Sequence, residues 1–197
     1  MARPASVAGV GVAALGASYL AVRAGVGDRV DDAVRSRLRA GRCPRADRVV
    51  GVATDLGSVY GLLGVGGALA GSGHHRLASE VVAAGGLAWI GAQAAKPLLD
   101  RPRPYQAGVA TRLVAPPAGS SWPSGHAAVM GAIAATVLPE VPRRARPVVI
   151  AIAAAVGVSR LHVGVHHLSD LVAGFGVGLV SSALGRALLL RLRGVDR

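Results

Sequence analysis

Long, mostly apolar runs alternate with breaks rich in arginine and proline, and this alternation limits the fold more than any single residue does. The runs lie at 5–25, 49–71, 77–95, 124–141, 147–161 and 167–190. About 20 apolar residues cross the hydrocarbon core of a bilayer as one helix. Inside lipid every backbone polar group must be satisfied within the protein, which leaves helices or closed barrels. The runs are too long for barrel strands. The chain is therefore expected to be all-α, a polytopic membrane helix bundle of about six transmembrane helices in a single domain over 1–197. A hydrophobic content of 52%, with only 16% charged residues, agrees with that class. Gly174, Gly176 and Gly178 in the last run predict close helix contact.

The stretch 26–48 is different. It carries Arg29, Arg35, Arg37, Arg39, Arg42, Arg45 and Arg48 together with Asp28, Asp31, Asp32 and Asp47. Val30, Val34 and Leu38 recur every four residues and define one helix face. Two readings fit, an amphipathic helix on the membrane surface and a solvated helix laced with ion pairs. The net charge of +12 could mark a nucleic-acid binder, but the chain has only 2 Trp, 3 Tyr and 1 Phe for base stacking. The arginines also lie between apolar runs, so the expected partner is the bilayer and no nucleic acid. Cys43 is the only cysteine, so it forms no internal disulfide and no thiolate metal site. Run 5–25 is read as a retained first span, although small residues after Arg3 also fit a signal peptide.

Six spans place the connections 26–48, 96–123 and 160–166 on one membrane face. The residues able to do chemistry are concentrated in the last two and at their edges. Lys96, the only lysine among 22 basic residues, is joined by Arg103 and Arg160. Cations at the edge of hydrocarbon call for anionic partners, and guanidinium groups suit tetrahedral oxyanions. Pro123-Ser124-Gly125-His126 opens a span, with Ser124 as a candidate cap. The N–H groups of such a helix start attract anions, and Gly125 lets the backbone approach closely. His166 and Asp170 are four apart and share a face if helical. A carboxylate holding one ring nitrogen frees the other as base or nucleophile, and His126 can serve as acid toward a leaving oxygen. Two competing readings exist. His162, His166 and Asp170 at fours could ligate a metal, but Gly164 interrupts the helix and the cations repel a divalent ion. Each charged residue could also simply end a membrane helix. Asp55, inside the run 49–71, is a candidate supporting carboxylate.

The motif set Lys96…Arg103-Pro104, Pro123-Ser124-Gly125-His126 and Ser159-Arg160…His166…Asp170 closely resembles that of the type 2 phosphatidic acid phosphatase superfamily, within a core of 96–170. The resemblance implies a lipid phosphate phosphatase that needs no metal or other cofactor. It implies His166 as nucleophile through a phosphohistidine, Asp170 as its orienter and His126 as general acid. Lys96, Arg103, Arg160, Ser124 and Gly125 would hold the phosphate, with Arg101 auxiliary. The implied substrates are polyprenyl-linked phosphates (undecaprenyl pyrophosphate or decaprenyl-phosphoribose phosphate), phosphatidylglycerol phosphate or phosphatidate, in a bacterial plasma membrane. The alternative is a protein that binds or transports anionic lipid head groups without hydrolysing them.

Overall fold

The computed structural model describes residues 4–40 and 43–195. Eight α-helices, with no strand among the described residues, follow in the order α1 (Pro4–Arg23), α2 (Gly27–Ala40), α3 (Pro44–Ala53), α4 (Val59–Gly71), α5 (His75–Ala95), α6 (Gly125–Val137), α7 (Arg146–His162) and α8 (Leu168–Val195). By length and hydropathy, three of the described helical segments are built to cross a membrane: Ala5–Arg23, Arg143–His162 and Leu168–Leu192. A fourth is the bent pair Pro44–Gly57 and Val59–Gly71. The 21-residue α5 and the 13-residue α6 pack beside them, α5 against α4, α6 and α8, and α6 against α5, α7 and α8.

The last apolar run forms the axis of the bundle, because α8 packs against α1, α5 and α6. Small residues make this possible, since lipid removes the hydrophobic drive and leaves close packing to hold helices together. A Cβ on Gly174 would lie 2.4 Å from the Ser124 carbonyl oxygen, and one on Gly178 would lie 2.4 Å from that of Ala128. On another face, a Cβ on Gly176 would meet the Gly11 carbonyl oxygen at 2.6 Å. The three glycines thus bring α6 and α1 against α8, as their clustering predicts. Trp122 locks the start of α6 to α1, with its Nε1 donating to Ser18 Oγ at 3.1 Å while Ser18 Oγ donates to the Ser169 carbonyl at 2.7 Å.

Two expected elements are built differently. Stretch 26–48 is not one helix. Its first part is α2 and its end belongs to α3, and Gly41 and Arg42 lie outside the described residues. Val30 is 54% exposed, whereas Asp31 is buried on the protein side, so an acidic residue docks α2. The run 49–71 is likewise broken by a 3-10 turn, Thr54–Gly57, with a 67° bend. Ser58 ends the turn and caps α4, its Oγ accepting from the Gly61 N–H at 3.2 Å. Gly57 fits there because a Cβ would sit 2.8 Å from Val156 Cγ1 on α7. The bend carries Thr54 into the protein and leaves Asp55 exposed.

Candidate active site

The expected residues converge at one end of α6, α7 and α8. His166 is not on a helix but in the turn 163–167 that joins α7 to α8. Gly164, at φ +75°, makes that reversal without side-chain strain, and a Cβ there would lie 2.4 Å from the Thr111 carbonyl oxygen. Four residues on, Asp170 sits in the first turn of α8, fully buried. Its Oδ2 accepts from the His167 N–H at 2.7 Å and from Ser121 Oγ at 2.5 Å, and lies 3.5 Å from His166 Nδ1. His166 Nδ1 has no closer partner among the described residues, and Asp170 is placed to orient the ring through that nitrogen.

The opposite nitrogen of the ring, Nε2, faces Arg103 Nη1 at 3.4 Å. Arg103 is almost wholly buried and held in place by carbonyls. Nη1 donates to Val165 at 3.0 Å, Nε to Gly119 at 3.2 Å, and Nη2 to Ala118 and Ser120 at 3.1 and 3.2 Å. Lys96 Nζ donates to the same Ser120 carbonyl at 2.7 Å. No carboxylate neutralises Arg103 directly. Burial lowers the pKa of both cations, and that of Lys96 falls to about 8 with the charge of Arg103 adding to the effect. Burial also pushes His166 down to about 4 against the opposing pull of Asp170, so its ring is neutral near pH 7.

Arg160 reaches the cluster from the end of α7. Its Nη1 donates to Thr54 Oγ1 at 2.9 Å, and Ser159 Oγ donates to the same oxygen at 2.7 Å. Thr54 is fully buried and, unlike the exposed Asp55, is in direct contact with the site; its place was hidden because the break in run 49–71 has no proline to mark it. Arg160 Nε and His126 Nε2 are both buried without a hydrogen-bond partner in the protein. Ser124, fully buried, caps α6 by accepting from the Ala127 N–H at 3.4 Å. A Cβ on Gly125 would make only an ordinary contact, with Gln93 Nε2 at 3.8 Å. Buried donors and cations around two imidazoles suit a tetrahedral anion.

The metal reading fails on geometry. His162 turns away, with Nε2 2.7 Å from Asp47 Oδ1 on α3, and the turn at Gly164 separates it from His166. No group of three His, Cys, Asp or Glu side chains among the described residues is arranged to hold a metal.

A family model described as the PAP2 superfamily matches residues 77–193, which carry all of these motifs. The chain belongs to the PAP2 superfamily. It is a phosphatase of that family, and its helices make it a membrane protein. Two solved structures share the fold. The first transmembrane PAP2 type phosphatidylglycerolphosphate phosphatase from Bacillus subtilis is 22% identical over 97% of this chain and 98% of its own, with a TM-score of 0.78. LpxE of Aquifex aeolicus is 20% identical over 82% of this chain and 95% of its own, with a TM-score of 0.71. No curated protein matches by sequence. Within this PAP2 chain, Arg101 also reaches the carboxylate beside His166. It is buried, and its Nη1 donates to Asp170 Oδ1 at 2.8 Å.

Proposed function

We propose that this chain is a metal-independent lipid phosphate phosphatase working through a phosphohistidine, with the whole chain as one domain in a bacterial plasma membrane. The observation that carries the reading is that His126 Nε2 and Arg160 Nε, both buried and unpartnered, belong to the same cluster as His166 and Arg103. A pure anion-binding site has use for the cations but not for two imidazoles and an orienting carboxylate.

In the first step His166 Nε2 attacks phosphorus, because Nδ1 faces Asp170. The bond from phosphorus to the ester oxygen breaks, and His126 gives that oxygen its proton. Lys96, Arg103 and Arg160, with the Ser124–Gly125 start of α6, hold the phosphoryl oxygens as charge builds on them. In the second step a water attacks phosphorus, His126 takes up its proton, and the nitrogen–phosphorus bond breaks to release phosphate. The substrate is a membrane lipid bearing a terminal phosphate or pyrophosphate, either polyprenyl-linked or a glycerolipid. The two structural neighbours support this class, one being titled a phosphatidylglycerolphosphate phosphatase. The test is phosphate release by the purified protein from polyprenyl, glycerolipid and phosphoribosyl-lipid phosphates, with EDTA present. Tight lipid binding without phosphate release would identify a binder instead.

A further inference from the structure

A carboxylate that must face a catalytic imidazole with one oxygen needs its other oxygen anchored. Asp170 presents Oδ2 to His166 and is anchored at Oδ1 by Arg101. A guanidinium offered to a single carboxylate tends to take both its oxygens in a paired, two-bond contact. That contact would draw Oδ2 away from His166. Here the fork is divided. Arg101 Nη1 serves Asp170 Oδ1 at 2.8 Å and Ser169 Oγ at 2.6 Å, while Nη2 serves Asp31 Oδ2 at 2.8 Å and the exposed Asp28 at 3.1 Å. Asp31, buried on α2, is held in turn by Ser169 Oγ at 2.8 Å and the Ser169 N–H at 3.1 Å.

Resting on the phosphatase reading above, we propose that Asp31 and Arg101 are positioning residues for the reaction: Asp31 occupies one arm of the Arg101 guanidinium, so that the other arm fixes Asp170 with a single oxygen free for His166. The backbone reinforces the arrangement. The Ser121 N–H donates to the Arg101 carbonyl at 2.9 Å, and Ser121 Oγ is the hydroxyl donor on Asp170 Oδ2. The connection between α5 and α6 therefore sets both ends of the carboxylate. The inference also gives α2 a task beyond covering the membrane surface, since it supplies a buried charge to the catalytic turn.

Charges face His166 from every side. Asp170 comes from α8, Arg103 from the connection 96–124, Arg160 from α7 and His126 from α6. Behind Asp170 stand Arg101, Asp31, Asp28, and His167, whose Nδ1 lies 3.1 Å from Arg35 Nη2. Removing the Asp31 charge leaves Arg101 less fully compensated and disfavours an imidazolium at His166. Removing the Arg101 charge does the opposite.

The test compares wild type, Asp31→Asn, Arg101→Gln and Arg101→Lys in detergent, on the lipid phosphate that wild type turns over, with thermal melts as a check on folding. Asp31→Asn and Arg101→Gln are expected to lower kcat at least tenfold with KM within threefold. The acid limb of kcat/KM is expected to move to lower pH in Asp31→Asn and to higher pH in Arg101→Gln, and Arg101→Lys is expected to recover part of the rate. If Arg101→Gln does not fold, Asp31→Asn and Arg101→Lys decide. Folded variants with kcat within twofold of wild type, or acid limbs that stay put or move together, overturn the proposal. Wild type without phosphate release, the same as His166→Ala, overturns the phosphatase reading and this inference with it.

Discussion

Arg103 Nη1 stands 3.4 Å from His166 Nε2, the nitrogen on the side of the ring away from Asp170. The closest cation to the imidazole thus lies beside its attacking atom. It is fixed there by four backbone carbonyls and by no carboxylate. Burial keeps the ring neutral in the free enzyme and this cation adds to the effect; it is also placed to meet a phosphoryl oxygen of a bound substrate.

His166→Ala is expected to lower phosphate release by roughly 10³-fold or more, because no other group can form the covalent intermediate. His126→Ala is expected to cost about 10²-fold or more on a lipid alkyl phosphate. The loss should shrink on an aryl phosphate whose leaving group needs no proton. Equal losses of rate on both substrates would remove His126 from the acid role.

The pH profile follows from burial. Desolvation holds His166 near 4, so its neutral, nucleophilic form persists well below the ordinary histidine range, and kcat/KM is expected to fall only as pH drops toward 4. On the alkaline side Lys96, lowered to about 8, loses its proton as pH rises, and KM should climb above that point. Lys96→Arg keeps the charge and should remove the alkaline rise in KM. A profile centred on an ordinary histidine value would mean that the ring is more hydrated than the buried geometry shows.

The convergence of the motif positions and the helical character of the apolar runs were legible because each carries a strong local signal: a rare lysine, a Pro-Ser-Gly-His start, long apolar runs. Asp31, Arg101 and Thr54 were not. Asp31 sits in a stretch where acidic and basic residues alternate, and nothing in the local pattern separates a buried aspartate from an exposed one such as Asp28. Arg101 lies two residues from Arg103 and looks redundant until Asp170 is placed 69 positions away. Thr54 is ordinary in an apolar run, and only the 67° bend turns it toward Arg160. Local patterns mark where helices and motifs lie, but the pairing of charges across α2, α7 and α8 is set by tertiary packing.

Chelation is expected to leave the reaction intact. Lys96, Arg103 and Arg160 already supply the positive charge that a divalent ion would bring, and they repel one. Phosphate release should be unchanged by EDTA. Loss on chelation with recovery on adding a divalent metal would overturn the phosphohistidine scheme.

Thr54→Val tests the support of Arg160. The replacement keeps the volume but removes the oxygen that accepts from Arg160 Nη1 and Ser159 Oγ. Arg160 Nε is already unpartnered, so the guanidinium would lose the one protein acceptor that aims it. An unsatisfied buried donor costs about 1–3 kcal/mol, and more on a charged group. Part of that cost should appear as a looser arginine and weaker binding of the phosphoryl group, roughly tenfold in kcat/KM. Inorganic phosphate should also inhibit the variant less strongly than wild type. Thr54→Ser restores the oxygen and should restore most of both. Because Thr54 touches neither histidine, a loss in Thr54→Val with full recovery in Thr54→Ser assigns the effect to Arg160, and equal activity in both variants would show that Arg160 holds its place without this hydroxyl.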